Sequence, residues 1–223
     1  RFLIQKIMFK YKVLLIGGPG RGKTYSFRNM NKLTTAYINV ENKPMPFKGN
    51  FKFSIVPQKP LEILKLIEDA CRNPAIDCII VDSFSAFVDM LLLEARQLKV
   101  GFEVWNYYNE NIGKFNDAVK KATKEVFVVA HYEVITDELG GSKERRAKAK
   151  GKEWEGQIEK DYTMVLYTEA KIEFGEQKAK HFFTLYNDGT NSAKTPPDIF
   201  GEGVFSIDND SNLVLQKIRE FQK

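Results

Sequence analysis

Short aliphatic runs alternate with amphipathic stretches along the chain, which is the pattern of an α/β fold. Residues 12–17 (KVLLIG) read as a buried strand, followed by a glycine-rich segment and a polar, helix-compatible stretch over 25–31. Residues 35–41 (TAYINVE) give a second strand, and the proline-bearing stretch 45–57 reads as an extended excursion. A helix is expected over 60–72, with Pro60 in the first turn and Leu61, Leu64, Ile67 and Cys71 on one face. Residues 77–83 (DCIIVDS) are apolar on both faces, as a central parallel strand requires. A strongly apolar helix follows over 84–98. Val104, Tyr108, Ile112, Phe115, Val119 and Ala122 recur at helical spacing, so a long helix is expected over 103–124. Residues 126–130 (VFVVA) form another buried strand that ends at His131. The stretch 136–157 has no periodicity and reads as a long loop. Strands are expected at 162–169 and 181–187, and a short helix at 212–221. No linker or repeat divides the chain, so one domain over 1–223 is expected.

The glycine-rich segment is Gly17-Gly18-Pro19-Gly20-Arg21-Gly22-Lys23-Thr24, which matches G-x-x-x-x-G-K-[ST]. Glycines let successive backbone N–H groups turn toward one anion, and a helix starting near Lys23 adds its positive end. Lys23 brings a point charge to the β- and γ-phosphates, and the Thr24 hydroxyl can ligate Mg2+. Tyr25 follows on the nucleotide side. The plain alternative is a glycine-rich turn with a chance lysine, but an apolar strand precedes the segment and a helix-compatible stretch follows. ATP with Mg2+ is the expected ligand.

Three strand ends carry further candidates. Asp82 closes the third strand, where a carboxylate can hold the Mg2+ shell; otherwise it caps the next helix, in competition with Ser83. Asp89 is a second, more distant candidate. Glu41 closes the second strand and can orient the water that attacks the γ-phosphate; otherwise it is a solvated turn residue. His131 closes the fourth strand and can hydrogen-bond the γ-phosphate; otherwise it is a satisfied polar residue.

Composition narrows the class. The chain has 223 residues, 43% hydrophobic and 28% charged, which is ordinary for a folded domain of one core. No apolar run approaches membrane-span length. Two cysteines, Cys71 and Cys78, are too few for a disulfide framework and fit a reducing, cytoplasmic setting. The two histidines offer no metal-ligand spacing. The start at Arg1, without a signal-peptide pattern, reads as a trimmed end. The net charge of +5 sits in one place: residues 143–152 (KERRAKAKGK) hold six basic side chains against Glu144, and the remaining chain balances at 28 of each sign. One basic segment on a neutral body is either a polyanion contact or a solvated excursion.

With these motifs the chain resembles the RecA-type P-loop ATPases, and more narrowly the small phage single-strand-annealing and recombination ATPases with a RecA core. The resemblance rests on the Walker-A run Gly17 to Thr24, Glu41 in YINVEN, Asp82 in IIVDS and His131 in VFVVAHYE. It implies a mostly parallel central sheet flanked by helices, with antiparallel C-terminal strands. It implies that Glu41 positions the attacking water and that His131 senses the γ-phosphate. It also implies that residues 136–157 form a DNA-binding loop, with Lys143, Arg145, Arg146 and Lys148 as its contacts. Lys150 and Lys152 match a basic residue that reaches a neighbouring subunit's phosphates. Single-stranded DNA, further copies of the chain in a ring or filament, and a single-strand-binding protein are the implied partners. If phage-encoded, such a protein works in the host cytoplasm.

Two other functions compete. A small-molecule kinase would use the same phosphate loop with Arg145 and Arg146 on a lid, although no base for an acceptor hydroxyl stands out. A partner-gated ATPase would present the basic segment to protein. Tyr132, Trp154 and Tyr162 flank the segment and offer rings for base stacking, or else pack into the core.

Overall fold

The computed structural model describes residues 9–136, 141, 143–172, 175 and 177–223. In chain order the first elements are β1 (Lys12–Ile16), β2 (Thr35–Asn39), β3 (Phe53–Ile55), α1 (Glu62–Arg72), β4 (Cys78–Asp82), α2 (Phe84–Leu98) and α3 (Glu103–Lys121). They are followed by β5 (Glu125–Ala130), β6 (Tyr132–Thr136), β7 (Lys143–Ala147), β8 (Met164–Lys171), β9 (Lys180–Thr184), β10 (Ser206–Asp208) and α4 (Ser211–Phe221). One sheet has the order β10-β9-β8-β1-β5-β4-β2-β3, and β6 and β7 form a separate hairpin. Strands β3, β2, β4, β5, β1 and β8 pair in parallel, whereas β9 and β10 join antiparallel. The α/β sheet with antiparallel C-terminal strands expected from the sequence is therefore present.

Strand alternation sorts the core into two layers. Leu14, Ile16, Ile79, Val81, Val126 and Val128 face α1, α2 and α3. Val13, Leu15, Cys78, Ile80, Phe127 and Val129 face the opposite way, toward Phe27 and α4. The central strands are buried on both faces, which is why they read as unbroken aliphatic runs. The alternation also has a consequence for chemistry. Asp82 shares the parity of Cys78 and Ile80, and His131 that of Phe127 and Val129. Both therefore leave the sheet on the side of the phosphate loop. Among the described residues no helix is long and apolar enough to cross a membrane.

Several expectations change. The segment after the phosphate loop is a six-residue 3-10 helix, Thr24–Asn29, rather than a helix over 25–31. The Ser26 hydroxyl donates to the Lys23 carbonyl at 2.6 Å, which competes with α-helical bonding. Helix α3 stops at Lys121, because Lys12 takes the Ala122 and Lys124 carbonyls at 2.7 Å each. The excursion 45–57 contains β3, an edge strand on β2. The C-terminal strand is Lys180–Thr184, shorter than 181–187, and β10 was not expected.

The largest correction concerns 136–157. Residues 137–140 and 142 lie outside the described residues, but 143–147 is strand, with Val134 opposite Arg145 and Tyr132 opposite Ala147. A strand reading KERRA carries no apolar alternation, so periodicity could not reveal it. Charge and ring contacts support it instead. Arg145 pairs with Glu169 and lies over the rings of Tyr132 and Tyr167, and Arg146 pairs with Glu144 at 2.8 Å. Ala147 and Ala149 are buried. Tyr162 is buried as well and Trp154 packs against the core, so neither presents a free ring for stacking.

Candidate functional site

The carboxyl ends of β1, β5, β4 and β2 are neighbours in the sheet, and each carries one of the candidate groups. The phosphate loop leaves β1 through Gly17, whose amide donates to the Ala130 carbonyl at 3.1 Å. A Cβ on Gly17 would stand 1.9 Å from Thr168 Oγ1, so only glycine lets the loop lie against β8. Gly22 has φ +92°, and a Cβ there would press on His181 Nδ1 at 3.0 Å. These two positions explain the glycines on either side of the loop.

Lys23 is buried, and its Nζ donates to the Gly17 and Gly18 carbonyls at 2.8 Å each. Burial pulls its pKa down to about 8, against the opposing pull of Asp82 and Glu41. His131 Nδ1 lies 3.5 Å from the same Nζ. An ammonium has no acceptor, so Nδ1 accepts and Nε2 carries the proton. Nε2 faces Glu41 Oε1 at 3.7 Å, longer than a hydrogen bond. Ser85 of α2 fixes the histidine from behind, its hydroxyl accepting from the His131 amide at 2.8 Å.

Thr24 Oγ1 donates to Asp82 Oδ2 at 2.7 Å. Tyr37, on the same sheet face, donates its hydroxyl to that oxygen at 2.9 Å. Burial raises the pKa of Asp82, and the Thr24 and Tyr37 hydrogen bonds oppose this. Glu41 is held by the Ser83 hydroxyl at 2.9 Å and by Lys43 Nζ at 2.6 Å. Its amide donates to the Asp82 carbonyl at 3.2 Å, so the two carboxylate-bearing strand ends are tied together. His131, Lys43 and Ser83 hold the Glu41 carboxyl well below the usual carboxylate range. Ser83 also caps α2, accepting from the Ala86 amide at 3.2 Å, so the cap expected of Asp82 or Ser83 falls to Ser83.

Lys23, Thr24, Tyr37, Glu41, Lys43, Asp82 and His131 line one cavity of about 500 Å³, a volume suited to a small-molecule ligand. Tyr25 and His181 line it beyond the phosphate loop. The donors fit a Mg2+-nucleotide. The hard oxygens of Thr24 and Asp82 are drawn together in the same cavity as the lysine. Among the described residues no group of three or more His, Cys, Asp or Glu side chains could hold a metal. A Mg2+ here would thus take most of its ligands from phosphate and water. Asp89 lies elsewhere, with Trp105 and Lys150 at a cavity on the α2–α3 face.

Arg21 projects from the loop and donates to the Ala170 carbonyl at 2.8 Å. Among the basic candidates, Arg145 and Arg146 are engaged in the ion pairs described above, while Lys143 and Lys152 are exposed. Lys148 donates its amide to the His131 carbonyl at 2.8 Å. Sequence reasoning missed Tyr37 and Lys43. Tyr37 is legible afterwards from strand parity, since it alternates with Asn39 on the face that carries Asp82. Lys43 depends on a turn conformation that no periodicity announces.

No curated protein matches the chain. Similar solved structures include a KaiC-like protein of the hyperthermophilic archaeon Pyrococcus horikoshii, 13% identical, with a TM-score of 0.48 over 79% of this chain and 78% of that one. Another is the RadB recombinase, 12% identical, with a TM-score of 0.46 over 79% and 81%. A family model described as AAA domain matches residues 9–196. The chain belongs to the AAA domain family and is a P-loop ATPase of α/β fold.

Proposed function

We propose that the chain is a RecA-like protein that binds and hydrolyses ATP, binds single-stranded DNA, and serves phage-type recombination or strand annealing. The observation that carries the hydrolytic half is the convergence of Lys23, Thr24 with Asp82, Glu41 and His131 on four adjacent strand ends. Lys23 binds the β- and γ-phosphates. Thr24 and Asp82 would hold Mg2+, which when bound would neutralise phosphate charge. Glu41 orients the water. The water oxygen bonds the terminal phosphorus, the bond from that phosphorus to the β–γ bridging oxygen breaks, and the water's proton passes to Glu41. ADP and phosphate leave. His131, held between Lys23 and Glu41, registers whether the terminal phosphate is present.

The DNA half is supported by continuity. Strand β6 begins at Tyr132, one residue after His131, and its ring edge lies 3.4 Å from the point a Cβ on Gly18 would occupy. Together with the Lys148–His131 hydrogen bond, this gives the phosphate loop a direct mechanical link to the basic hairpin. Lys143 and Lys148 are then the available DNA contacts, with Arg145 and Arg146 shaping the strand. Lys150 and Lys152, on the α2–α3 side, are the candidates for reaching a neighbouring copy's phosphates in a ring or filament. The ion pairs of Arg145 and Arg146 leave little for the lid of a kinase.

The test is ATP turnover with and without an oligonucleotide at two salt concentrations. Stimulation that weakens with salt is expected, and the double change Lys143→Ala/Lys148→Ala should flatten the salt slope of binding by about 1.4, at ~0.7 per single-strand phosphate contact. Turnover that ignores the oligonucleotide, with no binding at low salt, would remove the DNA half and leave the ATPase.

A further inference from the structure

The turn after β2 holds a lysine that the reaction above does not use. Asn39 brackets it: the amide Nδ2 donates to the Lys43 carbonyl at 2.9 Å, and Oδ1 accepts from the Lys43 amide at 3.3 Å. Asn42 adopts φ +51°, and it is the one non-glycine residue in the left-handed region among the described residues. Asparagine tolerates that region better than most, but it still carries strain, and such strain concentrates at functional sites. The result is a turn that brings Lys43 back to Glu41, 2.6 Å from Oε2, and into the cavity shared with Lys23, Thr24, Asp82 and His131. The Lys43 side chain is 71% exposed, so the ion pair adds little to stability. A bracketed, left-handed turn is a large device for so small a gain.

We infer that Lys43 is a further catalytic residue, whose ammonium passes from Glu41 to the terminal phosphate of bound ATP and supplies the second stabilising cation from the same chain. The inference rests on the ATPase reading above. During transfer, negative charge gathers on the terminal phosphoryl oxygens and on the bridging oxygen as its bond to phosphorus breaks. Lys23 meets this charge from the phosphate loop, and Lys43 meets it from the side of the attacking water. Its flexible four-carbon stem and three donors allow the transfer without backbone movement. The lysine thus keeps Glu41 neutralised until a triphosphate arrives, and a diphosphate gives it nothing to move to.

The experiment uses the full chain as Lys43→Met, Lys43→Arg and wild type, measuring Mg-ATP turnover and the affinities for Mg-ATP and Mg-ADP. Lys43→Met should slow turnover about 10²-fold, weaken ATP binding and leave ADP binding unchanged. Lys43→Arg should recover part of the rate. Mixing Lys43→Met with Glu41→Gln should restore nothing, since both groups must come from one chain. Turnover of Lys43→Met at or above the wild-type rate, equal losses for ATP and ADP, or recovery on mixing would overturn the assignment. Wild-type chain that neither binds nor hydrolyses ATP would instead overturn the ATPase reading, and the role of Lys43 with it. Wild-type hydrolysis beside an unaffected Lys43→Met would sink Lys43 alone.

Discussion

Two buried lysines stand at opposite ends of the phosphate-loop strand. Lys12 begins β1 and donates to the Ala122 and Lys124 carbonyls at 2.7 Å each. Lys23 follows β1 and donates to the Gly17 and Gly18 carbonyls at 2.8 Å each. Burial brings both down to about 8. Residue type, bonding and titration are nearly the same, and the surroundings are not. At the amino edge Glu125 already has Lys10 at 3.1 Å and Arg219 at 3.6 Å, so its charge is answered within the protein. At the carboxyl edge Lys23 opens onto a cavity where Asp82, Glu41 and His131 converge. A buried lysine marks a site only where other strand ends aim groups at the same space, which in a parallel sheet is the carboxyl edge.

The largest expected effect separates the two lysines. Lys23→Met should reduce ATP turnover by at least ~10³-fold while the chain stays folded, because the charge at the β- and γ-phosphates is lost. Lys12→Met should leave turnover per folded molecule unchanged. It should lower the unfolding free energy by about 1–3 kcal/mol, because one buried and one half-buried carbonyl lose their donor. Turnover assays and chemical denaturation of both variants check this, and a loss of turnover in Lys12→Met would break the comparison.

A second contrast comes from pH. Both lysines have folded-state values near 8, below the ordinary 10.5, so each ammonium is disfavoured by the fold. For Lys12 this cost is fully present below pH 8 and disappears as pH rises toward 10.5. Wild-type stability relative to Lys12→Met should therefore increase over that window. For Lys23 the readout is affinity. On the proposed role ATP binding needs the ammonium, so affinity should fall by up to about tenfold per pH unit above 8. Calorimetry in buffers of different ionisation heat should show proton uptake on binding at pH 9. A flat affinity between pH 7 and 9.5 would show that Lys23 does not titrate there.

The smallest effect sharpens the carboxyl edge itself. Tyr37→Phe removes one neutral hydroxyl from Asp82, for a loss of about 1 kcal/mol, or roughly fivefold in Mg2+ affinity with ATP present. Nucleotide binding without Mg2+ should be unchanged. Equal losses with and without the metal would make Tyr37 a packing residue.

Much of the carboxyl edge was legible in advance because its signals are local. The glycine spacing before Lys23 and the apolar strands ending at Asp82, Glu41 and His131 each lie within a few residues. Their convergence needed only the parallel sheet that the aliphatic runs imply. The amino edge left no such trace, because Lys12, Glu125 and Arg219 meet only through tertiary packing. The hairpin was hidden for a different reason: β7 is held by Arg145 on two tyrosine rings and on Glu169, and these contacts leave no period in the chain. Lys43 was hidden because its placement depends on Asn42 taking a left-handed turn. The 3-10 segment was misread because Ser26 bonds back to Lys23, a choice between two local patterns that propensity does not settle.

The central claim is that the strand ends at the carboxyl edge form one hydrolytic centre in which Glu41 acts on water and not on binding. Mg-ATP turnover and bound nucleotide, measured in the same samples of wild type, Glu41→Gln and Glu125→Gln, test it most directly. Glu41→Gln should bind Mg-ATP within about twofold of wild type and hydrolyse it ~10²–10⁴-fold more slowly, while Glu125→Gln hydrolyses at the wild-type rate. Near-wild-type turnover in Glu41→Gln, or a loss of turnover that merely follows a loss of binding, would contradict the account.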